Sequence, residues 1–567
     1  MSFQDRPGHG AMTRRRFVQG AALGGVALAA TGHRAWGLDT PGQSGVLSGS
    51  DFNLSIGRVP VNLTGRRVMA TGVNDMLPGP ILRWRQGDTV LLHVRNTLDV
   101  PTSIHWHGIR SPANMDGVPA LSFAGILPGE TFTYRIPLHQ SGTYWYHSHS
   151  AFQEQTGLYG ALVVEPKHGY AQRFDREHVV LLSDWSDTSP EQIVSNLKMQ
   201  NNYYNFRERD AGTFLADARK RGLRATIDDR LMWGGMRMSA SDIADVTGNT
   251  YTYLLNGQPP GANWTGLFRS GERVRLRFIN GSSMSFFDVR IPGLKMTVVA
   301  ADGNDVEPVP VDEFRIGVAE TYDVIVQPTG DAHSIFVQSE DRTGFARGTL
   351  ATRAGLTAPV PAMDPRPLRT MTDMGMGGGM GGGMAGMDMG GGGMTAPAAQ
   401  KLRGSVGVDN VAMTPIDRLG EPGDGLAGNG RRVLTYDDLR ATRPGADPRP
   451  PSREITLHLT GNMQRYMWGF DGKKFSQAEP IRLKLGERVR FTLINDTMME
   501  HPIHLHGLWS ELENGQGEYR PYKHTVIVQP GEKLSYLVTA DAPGMWAYHC
   551  HLLYHMEMGM FRTVVVA

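Results

Sequence analysis

One cysteine, Cys550, among 567 residues excludes an intrachain disulfide, so the thiol needs another reason to be there. Charge of either sign is not in excess: 57 Lys and Arg stand against 56 Asp and Glu, a net of +1, which argues against a polyanionic partner such as nucleic acid. No apolar run reaches the ~20 residues that a membrane span needs. Aromatic residues make up only 8% of the chain, whereas glycine (70) and proline (34) are plentiful, a composition that suits turn-rich β structure.

The N-terminus carries Thr13-Arg14-Arg15-Arg16-Phe17-Val18-Gln19, then an apolar stretch to about Ala30 and small residues near Ala35 and Gly37. That order reads as a twin-arginine export signal over residues 1–37, with a mature chain that begins near Leu38 and is delivered folded to the periplasm.

Histidines are concentrated where the cysteine is. Ten of the 19 fall in four short clusters: His105-Trp106-His107-Gly108, His147-Ser148-His149, His501-Pro502-Ile503-His504-Leu505-His506-Gly507, and His549-Cys550-His551 followed by His555. Alternate side chains of a strand point to opposite faces, so an i, i+2 pair presents both imidazoles on one face while Cys550 points away from His549 and His551. Cys550, His501 and His555 with a weak axial Met560 make the donor set of a blue-copper electron-transfer centre. Eight histidines remain, four from each end of the chain, enough for three further copper ions at a seam between two domains. Because Cys550 is covalently flanked by His549 and His551, an electron at the first centre has a short through-bond path to the second.

The pattern along the chain is all-β. Short alternating runs separated by Gly and Pro turns fill 46–168, the half of the cluster with His105, His107, His147 and His149. A second β region, 169–358, holds only the isolated His178 and His333, with His168 just before it, and is expected to act as a spacer without catalytic copper that shapes the other two; Gln192 to Met238 within it reads as a charged helical insertion. Residues 359–430 are expected to be flexible. Their centre is almost entirely Gly and Met, with Met371, Met374, Met376, Met380, Met384, Met387, Met389 and Met394, thioethers that favour Cu(I) and are expected to capture it. Met498 and Met499, just before His501, are weaker candidates for the same task and stronger ones for packing. The last β region, 431–567, ends in the remaining ligands.

These four clusters resemble those of the multicopper oxidases, the family of laccases and ascorbate oxidase. The resemblance implies three cupredoxin domains and four copper ions: type 1 on His501, Cys550, His555 and Met560; type 2 on His105 and His504; a type 3 pair on His107, His147, His149, His506, His549 and His551. It also implies oxidation of a substrate at type 1 copper and reduction of dioxygen to water at the other three. Leu231-Met232-Trp233-Gly234-Gly235-Met236-Arg237-Met238, Tyr251-Thr252-Tyr253-Leu254-Leu255-Asn256-Gly257 and Asn495-Asp496-Thr497-Met498-Met499-Glu500 are similar to the periplasmic copper-resistance protein A family. The implied substrates are Cu(I), with phenols as a second class, and the implied partners include other periplasmic copper-handling proteins. Many bacterial relatives place a proton-relaying carboxylate directly after the last type 1 histidine; here Met556 stands there, and Glu557 would point elsewhere. Asp116 and Glu154 are the substitute candidates. The competing reading is a non-catalytic periplasmic protein that sequesters copper.

Serine offers no ligand comparable to a thiolate. Cys550→Ser should therefore leave the chain folded but remove both oxidase turnover and the intense absorption near ~600 nm that cysteine-ligated blue copper gives; a retained blue band in the copper-loaded variant would refute the assignment of Cys550.

Overall fold

The computed structural model describes residues 45–235, 238–371, 373–375, 402 and 404–567. The export signal expected over 1–37 lies outside them, as do Met376, Met380, Met384, Met387, Met389 and Met394. Among the described residues no helix is long and apolar enough to cross a membrane.

Among the described residues strands dominate and form six sheets, which follow the chain in three pairs: four and five strands, then six and five, then six and five again. The strand Asp51–Val61 shows why. Phe52, Leu54, Ile56, Val59 and Val61 are buried while most residues between them reach solvent, the period of a half-buried strand. The strands that carry the histidine pairs break this rule. Gly142–His147 and His501–Leu505 are buried at every position, because one face packs in its own sandwich and the other meets a neighbouring one. Strands Val274–Asn280 and Thr321–Val326 of the second pair lie against Gly142–His147, joined through Thr143, whose hydroxyl donates to Asp323 Oδ1 at 2.7 Å.

The helical insertion is present as Pro190–Met199, Ala211–Arg221 and Leu223–Gly235. Ser189 and Asp210 cap the first two, each accepting the backbone N–H three residues on. The first helix buries Ile193, Val194 and Leu197, whereas the second buries no side chain.

Of the segment expected to be flexible over 359–430, the described flanks are packed, and most of its Gly/Met centre lies outside the described residues. On the described residues either side of the Gly/Met stretch the chain is packed: Met374 is 1% exposed, Met371 lies against the core, and Val411, Leu419 and Leu426 are buried. Its glycines and prolines do not prevent this, because the holding contacts are polar and come from both neighbouring sandwiches. Arg369, with no exposed side-chain surface, sits among Glu340, Asp424 and Glu500, pairing Glu340 at 3.6 Å and Asp424 more closely. Arg418 donates to Pro530 O at 2.9 Å, and Thr414 N donates to Gly375 O at 3.1 Å, so the described residues on the two sides are tied to each other.

Removing a cation from such a cluster leaves buried carboxylates uncompensated. Arg369→Met should lower unfolding free energy by about 3–5 kcal/mol, read from urea denaturation of the metal-free protein, whereas a loss below ~1 kcal/mol would mean that the network adds nothing beyond packing.

Candidate metal centre

Strand pairing brings the histidines together. His105 lies directly opposite His147 in one antiparallel pair, and His504 lies opposite His549 in another, so the cross-strand partners share a face. The two faces meet. His105 stacks on His506 and His107 on His504, each with ring centroids 3.9 Å apart, so each stack takes one ring from either end of the chain. Three groups of nitrogens then converge, each within 4.8 Å: His107, His147 and His551; His149, His506 and His549; and His105 with His504 beside His107. The six histidines expected to hold a metal pair thus divide into two trios, each drawing on both ends of the chain.

Most of these rings are aimed by what holds the other nitrogen. His105 Nδ1 donates to Asp116 O at 2.7 Å, His504 Nδ1 to His524 O at 2.6 Å, His549 Nδ1 to Cys550 O at 2.9 Å, and His506 Nδ1 to Asp116 Oδ2 at 2.8 Å. His147 Nδ1 lies 2.6 Å from Glu154 Oε2. With Nδ1 occupied in His105, His147 and His504, Nε2 carries the lone pair, and these Nε2 atoms, like those of His149 and His551, are buried with no protein partner. His107 is the exception. Its Nε2 is engaged and its Nδ1 is the bare one. Burial, reinforced by neighbouring imidazoles, holds His107, His149, His504, His506 and His551 well below the usual histidine range, and burial brings His549 to about 4. Neutral, converging and unpartnered nitrogens are what a cluster of soft or borderline metal ions requires.

On the opposite side of the same strand, Cys550 Sγ is 3.5 Å from His501 Nδ1 and 3.9 Å from His555 Nδ1, and the two nitrogens are 3.3 Å apart. Donors that share one first-row ion at bonds of about 2.0–2.3 Å stand this far apart. Burial pushes the thiol up, so in the metal-free protein Cys550 keeps its proton and a metal must displace it. Met560 is fully buried, and its N–H donates to His555 O at 2.9 Å, which ties it to the short helix Leu553–Glu557 that carries His555. Trp468 stacks on His555 at 3.7 Å, and Thr497 Oγ1 lies 2.7 Å from His501 Nε2.

The structure brings together all twelve residues read as ligands, except that Met560 is placed only by its burial and its backbone bonds. Asp116 and Glu154 are buried beside the histidines; burial, then the Asp184 charge, raises the Glu154 carboxyl. Asp116 is presented by a turn that only glycine can close: at Gly117, φ +84°, a Cβ would lie 1.8 Å from Ile104 O. Met498 and Met499 are buried core residues, and Met371 and Met374 pack as well, so none of the four stands free in solvent to capture an ion. Glu557 is exposed and Met556 half-buried. His178 and His333 bond only to carbonyls, at 2.9 and 2.6 Å.

Two residues escaped the sequence reading. Asp245, from the second β region, accepts both His555 Nε2–H and Tyr466 O–H at 2.7 Å. His524 lies against His107 and His504. Neither sits in an i, i+2 pair, and each acts on a residue hundreds of positions away or on another strand, so no local spacing marks it.

Family models for multicopper oxidases match residues 55–169, 176–354 and 448–567. Copper resistance protein A of Pseudomonas syringae pv. tomato is 55% identical over 98% of this chain and 99% of its own length. Copper resistance protein A of Escherichia coli is 54% identical with the same coverage. The crystal structure of Fet3p, a multicopper oxidase that functions in iron import, superposes with a TM-score of 0.65 at 19% identity, covering 92% of this chain and 90% of that one.

Buried neutral imidazoles make the metal-free protein acid-sensitive. Where a histidine's folded pKa lies below its unfolded value, the unfolded chain binds more protons, so stability falls as pH drops. The metal-free protein should lose stability as pH falls from about 6.5 towards about 4, the interval set by His549 and His524. Urea midpoints that do not decline between pH 7 and pH 5 would contradict this.

Proposed function

The chain belongs to the multicopper oxidase family and is an oxidoreductase, and from that premise we propose that it is a periplasmic cuprous oxidase serving copper resistance. It takes electrons from Cu(I) and passes them to dioxygen. Four copper ions are its cofactors: one held by His501, Cys550, His555 and Met560, one by His105 and His504, and two by the trios His107, His147, His551 and His149, His506, His549. Bound copper supplies one-electron transfer and the four-electron reduction of dioxygen to water; the protein supplies position, path and protons.

The observation that carries this reading is the tripeptide His549-Cys550-His551, whose middle side chain joins one donor group and whose outer side chains join the two trios. Oxidation of single electron donors and a four-electron acceptor are thereby linked through a few covalent bonds. A protein that only sequesters copper has no use for that linkage. Asp116 and Glu154 touch His506 and His147 and are the carboxyl groups placed to hand protons towards the cluster in the absence of one at Met556.

The surroundings of His555 favour Cu(I) over phenols. A small cavity beside it is lined by Asp245, Glu340, Asp341 and Glu500 with the thioethers of Met284 and Met499, and one oxygen each of Asp245 and Glu500 has no protein partner. The two thioethers suit a soft cation, whereas His501 and His555 present no surface to a bulky aromatic ring. Six methionines between Met376 and Met394 raise the local concentration of captured Cu(I) by tethering. Export by the twin-arginine signal over 1–37 puts the enzyme where Cu(I) enters the cell envelope.

Oxygen consumption by copper-loaded protein tests the reading. Uptake should be supported by Cu(I) at least ~10-fold better, in kcat/KM, than by a bulky phenol, about the discrimination that ~1.4 kcal/mol provides. Deleting residues 376–400, which leaves Met371 and Met374 in the core, should slow uptake at low Cu(I) without slowing phenol oxidation. Absence of Cu(I)-supported uptake refutes the cuprous oxidase; an unchanged deletion variant leaves the segment a linker.

A further inference from the structure

His107 differs from the other cluster histidines in which nitrogen it offers. Its Nδ1 is buried and bare, and its Nε2 lies 3.1 Å from His524 Nδ1 and 3.2 Å from Thr525 Oγ1. A neutral imidazole that gives the Nδ1 lone pair to a metal must carry its proton on Nε2, and that proton needs an acceptor. Two ring N–H groups cannot face each other at 3.1 Å, so His524 Nδ1 bears the lone pair. The Thr525 hydroxyl, 3.1 Å from His524 Nδ1, closes the triangle. The rings meet edge to face, with centroids 4.6 Å apart.

His524 also acts through its backbone. Its carbonyl accepts His504 Nδ1–H at 2.6 Å, which leaves His504 Nε2 bare and facing the cluster. One residue therefore sets opposite tautomers in two ligands that belong to different metal positions. It is itself held from the second sandwich: Asp302 Oδ2 accepts the N–H groups of His524 and Thr525, both at 3.2 Å, and pairs Lys523 Nζ at 3.0 Å. The fit is close. At Gly108, next to His107 and at φ +80°, a Cβ would lie 2.5 Å from His524 Cδ2.

The geometry points to His524 as a positioning residue of the oxygen-reducing cluster: it fixes His107 as an Nδ1 ligand and His504 as an Nε2 ligand, under the control of Asp302. This rests on reading the eight histidines as a copper cluster. The spacer sandwich, which contributes no ligand to that cluster, would then act on it through Asp302.

The test compares His524→Leu, which removes the ring acceptor, leaves only Thr525 Oγ1 and keeps bulk, with His524→Gln, which restores a side-chain acceptor. Both keep the backbone carbonyl. Copper bound per protein is measured by metal analysis across a series of buffered free copper concentrations, and EPR-detectable copper and the blue band are recorded on the same samples. His524→Leu should keep the blue band, bind cluster copper about 10–100-fold more weakly, the usual cost of losing a ligand's outer partner, and show more EPR-detectable copper because the coupled pair is lost. His524→Gln should recover most of the affinity. Parent protein that binds only the copper at Cys550 would sink the cluster reading itself. Parent protein that fills the cluster, with His524→Leu indistinguishable from it, would sink only the role of His524, as would equal losses in the Leu and Gln variants. If His524→Leu does not fold, the crystal structure of the copper-loaded parent decides: Nδ1 of His107 on the metal with Nε2 still within hydrogen-bond distance of His524 Nδ1 upholds the proposal, and a turned ring in either residue overturns it.

Discussion

Everything at the metal centre depends on the pleat of one strand. Gly544–Cys550 and the residue after it send His549 and His551 to one side and Cys550 to the other, as the two-residue period of extended chain requires. Hence one donor group forms inside the last sandwich and the other at its border with the first. A helix in the same place would fan these side chains around its axis and separate them. The pairing of Ile503 with Cys550 and of His504 with His549 imposes the same division on the neighbouring strand, so His501 falls on the cysteine side and His506 on the cluster side. A register slip of one residue would exchange the two sets.

Burial supplies the second constraint. Eight imidazoles at one border would repel one another if charged, and desolvation keeps most of them neutral, which is also the form that binds metal. Neutral rings still have to be turned the right way. That is done by a ring of acceptors outside them: Asp116 and His524 O for His506, His105 and His504, Glu154 for His147, and Asp245 for His555. The second sandwich, expected from the sequence to be a spacer that holds no catalytic copper and shapes the other two, supplies Asp245 directly and Asp302 behind His524. It shapes the site without donating to either histidine trio.

The packed strips 359–371, 373–375 and 404–430 follow a related rule. Glycine and proline content led to the expectation of a flexible connection, because such residues bring little apolar surface. What holds these strips is charge. Arg369 and Arg418 are drawn into the gap between the second and third sandwiches by Glu340, Asp424, Glu500 and Asp373, and the few hydrophobic side chains available, Met374 and Leu419 among them, follow. Glu500 adjoins His501, so the strip is anchored beside the cysteine site. Composition counts residues and is blind to where an arginine's partners come from.

The sequence by itself determined the chemistry. Four short histidine clusters and one cysteine specify which atoms can bind copper, and i, i+2 spacing in strands specifies which of them share a face, since both follow from covalent order and the period of extended chain. The alternating runs likewise carried the all-β architecture, which strands such as Val274–Asn280, Arg488–Asn495 and Lys533–Thr539 realise. Only the tertiary structure decided how the six paired histidines split into trios, that His107 turns its other nitrogen inward, and that Asp116, Glu154, Asp245, Asp302 and His524 stand behind the ligands. Those are matters of distance between residues up to several hundred positions apart, set by how three sandwiches close on one another, and no local periodicity encodes them.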